Sequence, residues 1–223
     1  MSTSRKLAAE ALGTALLLAT VVGSGIMGER LVGGNAALAL LANSIATGCM
    51  LATLILLFAP ISGAHFNPAV TVAAASMKMI SWRMAGAYIL VQIAAAFSGV
   101  AAAHLMFGEP LFFASVKERT GMAQWWSEIV ATFGLLTVIF GCLRSRPDAL
   151  PFVVGLYITA AYWFTASTSF ANPAVTLARA ASNTFSGIRP DNVPAFIAAQ
   201  AVGTVVAVMV VRWLLPPRSG GNN

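Results

Sequence analysis

His65-Phe66-Asn67-Pro68-Ala69-Val70-Thr71 and Phe170-Ala171-Asn172-Pro173-Ala174-Val175-Thr176 are two copies of one stretch, with the shared core Asn-Pro-Ala-Val-Thr. Each copy follows a long apolar run and opens a short alanine-rich segment. The core has the chemistry of a helix start. Asparagine is a strong N-cap, because its side-chain oxygen accepts from the first free N–H groups. Proline at the first helical position loses nothing, since its missing N–H would have no partner there. The short segments, about residues 68–79 and 173–184, fall below the ~20 residues that a membrane-crossing helix needs. Two half-helices whose positive N-terminal ends meet inside a membrane would form an electrostatic centre there.

The surrounding chain supports a membrane setting. Of its 223 residues, 58% are hydrophobic and 9% charged, and the mean hydropathy is +0.82. A soluble domain carries about 25% charged residues. The apolar runs are too long for strands, so the spans are helices. The net charge of +6 does not point to nucleic acid, because the basic residues flank the apolar runs instead of forming one patch. Cys49 and Cys142 each lie within an apolar run and are expected to be inert buried thiols, with neither a disulfide framework nor a metal site. Arg5-Lys6 and the apolar stretch behind them read as a retained first span, since Glu10 interrupts the stretch and no convincing small-residue cleavage site follows.

Six spans are expected, at about 6–27, 35–58, 84–107, 127–143, 149–165 and 193–215, with Pro60 and Gly63 breaking the second. The chain reads as one membrane channel domain over 1–223, built of halves at about 6–107 and 125–215, with 216–223 as a disordered tail. The repetition extends beyond the central motif. Glu10 and Thr14 match Glu128 and Thr132, and Gln92 matches Gln200. Three spans per half force the two halves to be inverted. With the N-terminus inside, the inner face holds Arg5, Lys6, Lys78, Arg83, Arg144, Arg146, Arg212 and Arg218 against Asp148 alone. The other face carries a near balance of charges. This bias places both termini in the cytoplasm of a chain in the inner (plasma) membrane.

Two Asn-Pro-Ala motifs on re-entrant half-helices in a six-span inverted repeat resemble the aquaporin and aquaglyceroporin (major intrinsic protein) family. The resemblance covers about residues 10–200, and Ser62-Gly63-Ala64-His65-Phe66-Asn67-Pro68-Ala69-Val70-Thr71 is very close to the family's first signature. It implies an all-α membrane fold of six transmembrane helices and two re-entrant half-helices. It also implies a homotetramer with one pore in each subunit. Asn67, Pro68, Ala69, Asn172, Pro173 and Ala174 then meet at mid-membrane. A polar solute crossing apolar walls needs replacement hydrogen bonds, and the two asparagine amides can supply them; the plainer reading is that each asparagine only caps its helix.

Glu10 and Glu128 are intramembrane carboxylates and so functional candidates. One reading is a proton relay. The other, which the resemblance favours, is a scaffold in which they accept from backbone N–H groups of the loops at 63–66 and 170–171. His65 is treated likewise, as a loop-ordering or pore-facing residue, and His104 as interfacial. Gly99, Gly134, Gly155 and Gly203 read as close helix-packing positions.

The departure from the family is Val175, where most members carry an arginine that forms the outer constriction. By spacing, the other filter positions fall on Thr47, Ser169 and either Ala160 or Ala161. All are small, so the pore is expected to be wider and less polar, without the fixed charge that excludes cations and protons. This resembles a bacterial branch linked to arsenical handling. Arg179, one turn beyond Val175, either reaches the outer vestibule or snorkels to the interface. The leading function is a passive channel for small neutral solutes: glycerol-like polyols, urea, metalloid species such as arsenite, and water. The alternatives are an ordinary water channel, a coupled secondary transporter and a non-conducting structural protein. No nucleophile–base pair or metal-ligand group points to an enzyme or a cofactor. The expected partners are solutes, water and membrane lipid, with no nucleic acid.

Overall fold

The computed structural model describes residues 1–215. Eight α-helices follow one another: α1 Thr3–Leu31, α2 Ala36–Ser62, α3 Pro68–Ser76, α4 Trp82–Phe107, α5 Met122–Ser145, α6 Leu150–Phe164, α7 Pro173–Arg179 and α8 Val193–Leu214. The order long, long, short, long occurs twice. Five of the long helices are long and apolar enough to cross a membrane. The sixth, α6, has 15 residues and is preceded by a single turn of 3-10 helix at Pro147–Ala149. The molecule is an all-α membrane protein. Leu90, Leu105, Leu156 and Met209 stand exposed along the helices, as apolar side chains facing lipid do.

In the first half α1 packs on α2 and α4, and in the second α5 packs on α8 and α6. The halves join through α2 against α6, while α3 and α7 each lie against a long helix of the opposite half. Glycines permit the tight approaches. A Cβ at Gly155 would lie 2.5 Å from the carbonyl oxygen of Gly48, and one at Gly203 would lie 2.6 Å from that of Ile129. Gly99 and Gly134 are equally crowded, by Ala15 and Tyr157.

Several boundaries differ from expectation. Pro60 does not break α2, which runs on to Ser62 and ends at Gly63 in the left-handed region (φ 92°). A proline forfeits only one backbone bond, and so close to the C-terminus the helix tolerates it. The half-helices are shorter than the alanine-rich segments. α3 stops at Ser76, and α7 stops at Arg179 because residues 180–189 turn to pair with the 113–117 segment, through Phe113 N–H to Ala181 O and Arg189 N–H to Lys117 O. His104 lies in the last turn of α4. It is fully buried, with its ring nitrogens 2.8 Å from Leu111 O and Ser182 Oγ. Cys49 is exposed on α2, whereas Cys142 is buried as expected. The expected disordered tail, 216–223, lies outside the described residues.

Candidate functional site

The two Asn-Pro-Ala segments meet in the interior. Each asparagine divides its side chain between two tasks. Oδ1 of Asn67 caps α3 by accepting from Ala69 N–H (2.8 Å), and Oδ1 of Asn172 caps α7 by accepting from Ala174 N–H (3.0 Å) and Val175 N–H (3.3 Å). Each Nδ2 donates across to the other loop, Asn67 to Ala171 O (2.7 Å) and Asn172 to Phe66 O (2.9 Å). An amide has two N–H donors, and the second of each has no protein partner among the described residues. Both asparagines line one cavity of about 180 Å³ that runs between the half-helices and α1, α2, α5 and α6. The capping reading and the donor reading are therefore two ends of one amide.

The loops leading into α3 and α7 are strained in the same way. Ala64, Phe66, Ser169 and Ala171 have φ between 46° and 52°, in the left-handed region. Such non-glycine residues cost about 1–3 kcal/mol each and persist only where other bonds hold them. The buried carboxylates hold them here. Glu10 accepts from Ser62 Oγ (2.6 Å), His65 N–H (3.0 Å), Phe66 N–H (2.7 Å) and Gln92 Nε2 (2.9 Å). Glu128 accepts from Phe170 N–H (2.9 Å), Ala171 N–H (2.9 Å) and Gln200 Nε2 (2.6 Å). Gln92 and Gln200 continue to Thr71 and Thr176, so each half repeats one network. His65 places Nδ1 3.1 Å from Thr71 Oγ1, and its ring meets Tyr88 edge-on while also lining the cavity.

Three of the expected filter positions, Thr47, Ser169 and Val175, line the cavity together. Neither Ala160 nor Ala161 does. Ala160 faces outward and Ala161 is packed away. The wall of α6 is Leu150, Val154, Ile158 and Tyr162, a series at i+4 spacing, so the residue level with Thr47 is Tyr162. Its hydroxyl lies 3.4 Å from Thr47 Oγ1. The cavity wall beside Thr47 is therefore not made of small residues alone. Counting along the chain from the motifs passes over Tyr162; the i+4 apolar series ending in a tyrosine is the signal that places it on the cavity. Ser169 Oγ is buried without a protein partner at this level.

A family model described as "Major intrinsic protein" matches residues 1–150. A protein of Rhizobium meliloti (strain 1021), named "Aquaglyceroporin AqpS", is 55% identical over 214 residues, which is 96% of this chain and 91% of that one.

The chain belongs to the major intrinsic protein family.

As a member of that family it is a channel and not an enzyme. "Aquaporin NIP6-1" of Arabidopsis thaliana is 33% identical over 141 residues, 62% of this chain and 45% of its own length. The solved structure of the aquaglyceroporin from Plasmodium falciparum shares the fold at a TM-score of 0.77 and 24% identity, covering 97% of this chain and 98% of that one.

One arginine lines the α7 end of this major intrinsic protein's cavity, and a second stands behind it. Arg179 lines the cavity, is 2% exposed and does not snorkel. Its Nε donates to Ser186 O, and its guanidinium carbon lies 3.4 Å from the centroid of the Phe170 ring. Arg119, from the connection between α4 and α5, lies 5.0 Å from the same centroid. Its Nε donates to Gly187 O (2.9 Å) and its Nη1 to Ser167 O (3.3 Å). Burial lowers Arg119 to about 10, with Tyr162 and Glu128 pulling the other way, so it stays charged at neutral pH. Lys117, on the same connection, donates Nζ to Phe185 O (2.6 Å); burial, then Arg119 and Arg179, lower it to about 8.

Proposed function

We propose that the chain is a passive channel for small uncharged solutes larger than water, with water passing as well. Glycerol-like polyols, urea and neutral metalloid hydroxides such as arsenite are the solutes of this size and polarity. The observation that carries the reading is Val175 beside Thr47, Tyr162 and Ser169 on one cavity. Valine and the tyrosine ring offer an apolar wall, while the hydroxyls of Thr47, Tyr162 and Ser169 offer polar partners. A polyol has that same division between carbon backbone and hydroxyls. A relative named an aquaglyceroporin, 55% identical, supports the size class.

In this reading a solute gives up water at the filter and meets the second N–H donors of Asn67 and Asn172 half-way through. Glu10, Glu128 and His65 act as scaffold for the strained loops rather than as a proton relay. The whole chain is one channel domain of two inverted halves, about 6–107 and 125–215, and Asn-Pro-Ala at 67–69 and 172–174 marks its centre. It assembles as a homotetramer in the inner membrane with both termini cytoplasmic, as the family resemblance and the positive-inside bias imply.

Light-scattering of proteoliposomes tests the reading. Vesicles should shrink in hypertonic glycerol or urea and reswell rapidly with no ion gradient. Reswelling that collapses with a proton ionophore would indicate a coupled transporter, and water flux without solute flux would indicate an ordinary water channel. Val175→Arg should slow glycerol entry relative to water.

A further inference from the structure

The loss of arginine at position 175 removes charge from the constriction, but the cavity is not left without charge. Aligning the two motif copies on their asparagines pairs Val70 with Val175, His65 with Phe170 and Ala74 with Arg179. Both Ala74 and Arg179 line the cavity. The copies are thus alike at the valine and unlike one turn further on. Four residues at 1.5 Å rise place Arg179 about 6 Å beyond Val175 along the half-helix.

The environment of Arg179 is built to hold a charge without cancelling it. Its Nε is engaged by Ser186 O, and its two Nη groups have no hydrogen-bond partner among the described residues. Its plane rests against Phe170, an attractive arrangement for a guanidinium. Arg119 shares that ring from the connection between α4 and α5 and is fixed to backbone carbonyls of Gly187 and Ser167. Among the described residues neither arginine forms a salt bridge. The carboxylate that faces this group from α5, Glu128, has both oxygens occupied by loop N–H groups and Gln200. Lys117 adds a third positive group on the same side. A second, independent feature adjoins the same space. Ser169 Oγ is buried, lines the cavity and has no protein partner.

We propose that Arg179, stacked on Phe170 and backed by Arg119, is the charge barrier of this pore, set one helical turn beyond the size constriction at Val175. The inference rests on the channel reading above. It separates two tasks that a single filter arginine would combine. Val175 sets the width, so carbon-bearing solutes pass. Arg179 repels cations and protons before they reach that width, and its uncommitted Nη donors, with Ser169 Oγ, meet the oxygens of an entering solute. The channel is accordingly wide and yet tight to protons.

The test uses the full-length protein in liposomes loaded with a pH-sensitive dye, with potassium and valinomycin clamping the potential. Osmotic water and glycerol fluxes are measured on the same vesicles. Wild-type vesicles should show proton entry at the level of protein-free vesicles alongside fast glycerol entry. In Arg179→Gln, proton flux per unit water flux should rise at least about thirty-fold, the factor for one unit charge no further than roughly 8 Å from the ion path at an effective dielectric of about 20. Arg179→Lys should keep proton flux low, and Val175→Arg combined with Arg179→Gln should restore the barrier. Arg179→Met, whose thioether preserves the contact with Phe170, replaces the glutamine variant if that does not fold and should show the same rise. If neither folds, Arg119→Gln must raise proton flux by about six-fold, the factor for one unit charge roughly 16 Å from the ion path at the same effective dielectric. A ratio unchanged in the folded variants overturns the proposal, as does a leaky wild type. Absence of water and glycerol flux in the wild type would instead overturn the channel reading.

Discussion

Glu128→Gln separates the scaffold role of the buried carboxylates from a proton relay. In the native protein the carboxylate accepts three hydrogen bonds, from Phe170 N–H, Ala171 N–H and Gln200 Nε2. The amide replaces one acceptor oxygen with a donor. Gln200 can flip to present its Oε1, which has no partner in the native arrangement, but it then withdraws Nε2 from Thr176 Oγ1. One backbone N–H, at Phe170 or Ala171, still faces a donor. An orphaned buried N–H costs about 1–3 kcal/mol, and the remaining bonds lose their charge assistance, roughly another 1 kcal/mol. The expected loss is about 3 kcal/mol, or about 6–12 °C in Tm for a chain of this length. The assay is thermal unfolding in detergent, paired with solute flux per folded channel. Glu10→Gln should behave alike, because Phe66 N–H depends on Oε2 in the same way. A Glu128→Gln protein that melts within about 2 °C of wild type refutes the scaffold role of the carboxylate. If flux also acquires or loses a proton dependence, the carboxylate is a relay.

Tyr162→Ala should widen the filter and speed polyols longer than glycerol, measured by the same reswelling assay, because the tyrosine lines the cavity with its hydroxyl against Thr47; an unchanged size cut-off would remove Tyr162 from the constriction. Gly155→Ala should destabilise by about 1–3 kcal/mol, because its Cβ would meet Gly48 O at 2.5 Å. The same change should alter flux, since it pushes apart the two helices that carry Thr47 and Tyr162. Lys117 contributes a pH dependence with a definite sign. Its folded value of about 8 lies below its ordinary 10.5, so the unfolded chain binds more protons between them and stability rises as pH climbs from about 8 to about 10.5. Below 8 the penalty is fully present. Lys117→Met should flatten that slope in thermal unfolding; a slope that survives the substitution assigns it to another group.

How much of this was legible in the chain follows from the range of the forces involved. The half-helix starts were legible because Asn-Pro capping acts within three residues. The membrane setting was legible because burying charge in hydrocarbon is prohibitive wherever it occurs. The repeated Glu10 and Glu128 announced themselves as anomalies in apolar runs. Their scaffold role was legible through the family resemblance, together with loops whose backbone N–H groups have no regular structure to satisfy them. Cys49 was misplaced because position along a span says nothing about which side of the helix meets lipid.

The sequence by itself determined that this is a helical membrane protein with a repeated motif, because motif and hydropathy are properties of local composition. It also determined that position 175 carries no charge. Only the tertiary structure decided what stands around that position. Tyr162 takes the place expected of an alanine because helical phase, and not residue count, selects what faces the cavity. Arg119 arrives from a connection with no regular structure, and it meets Arg179 over Phe170 only when α5, α7 and the intervening loops are packed. Contacts between segments so far apart leave no trace in local pattern, because each residue satisfies its own neighbours equally well in many folds.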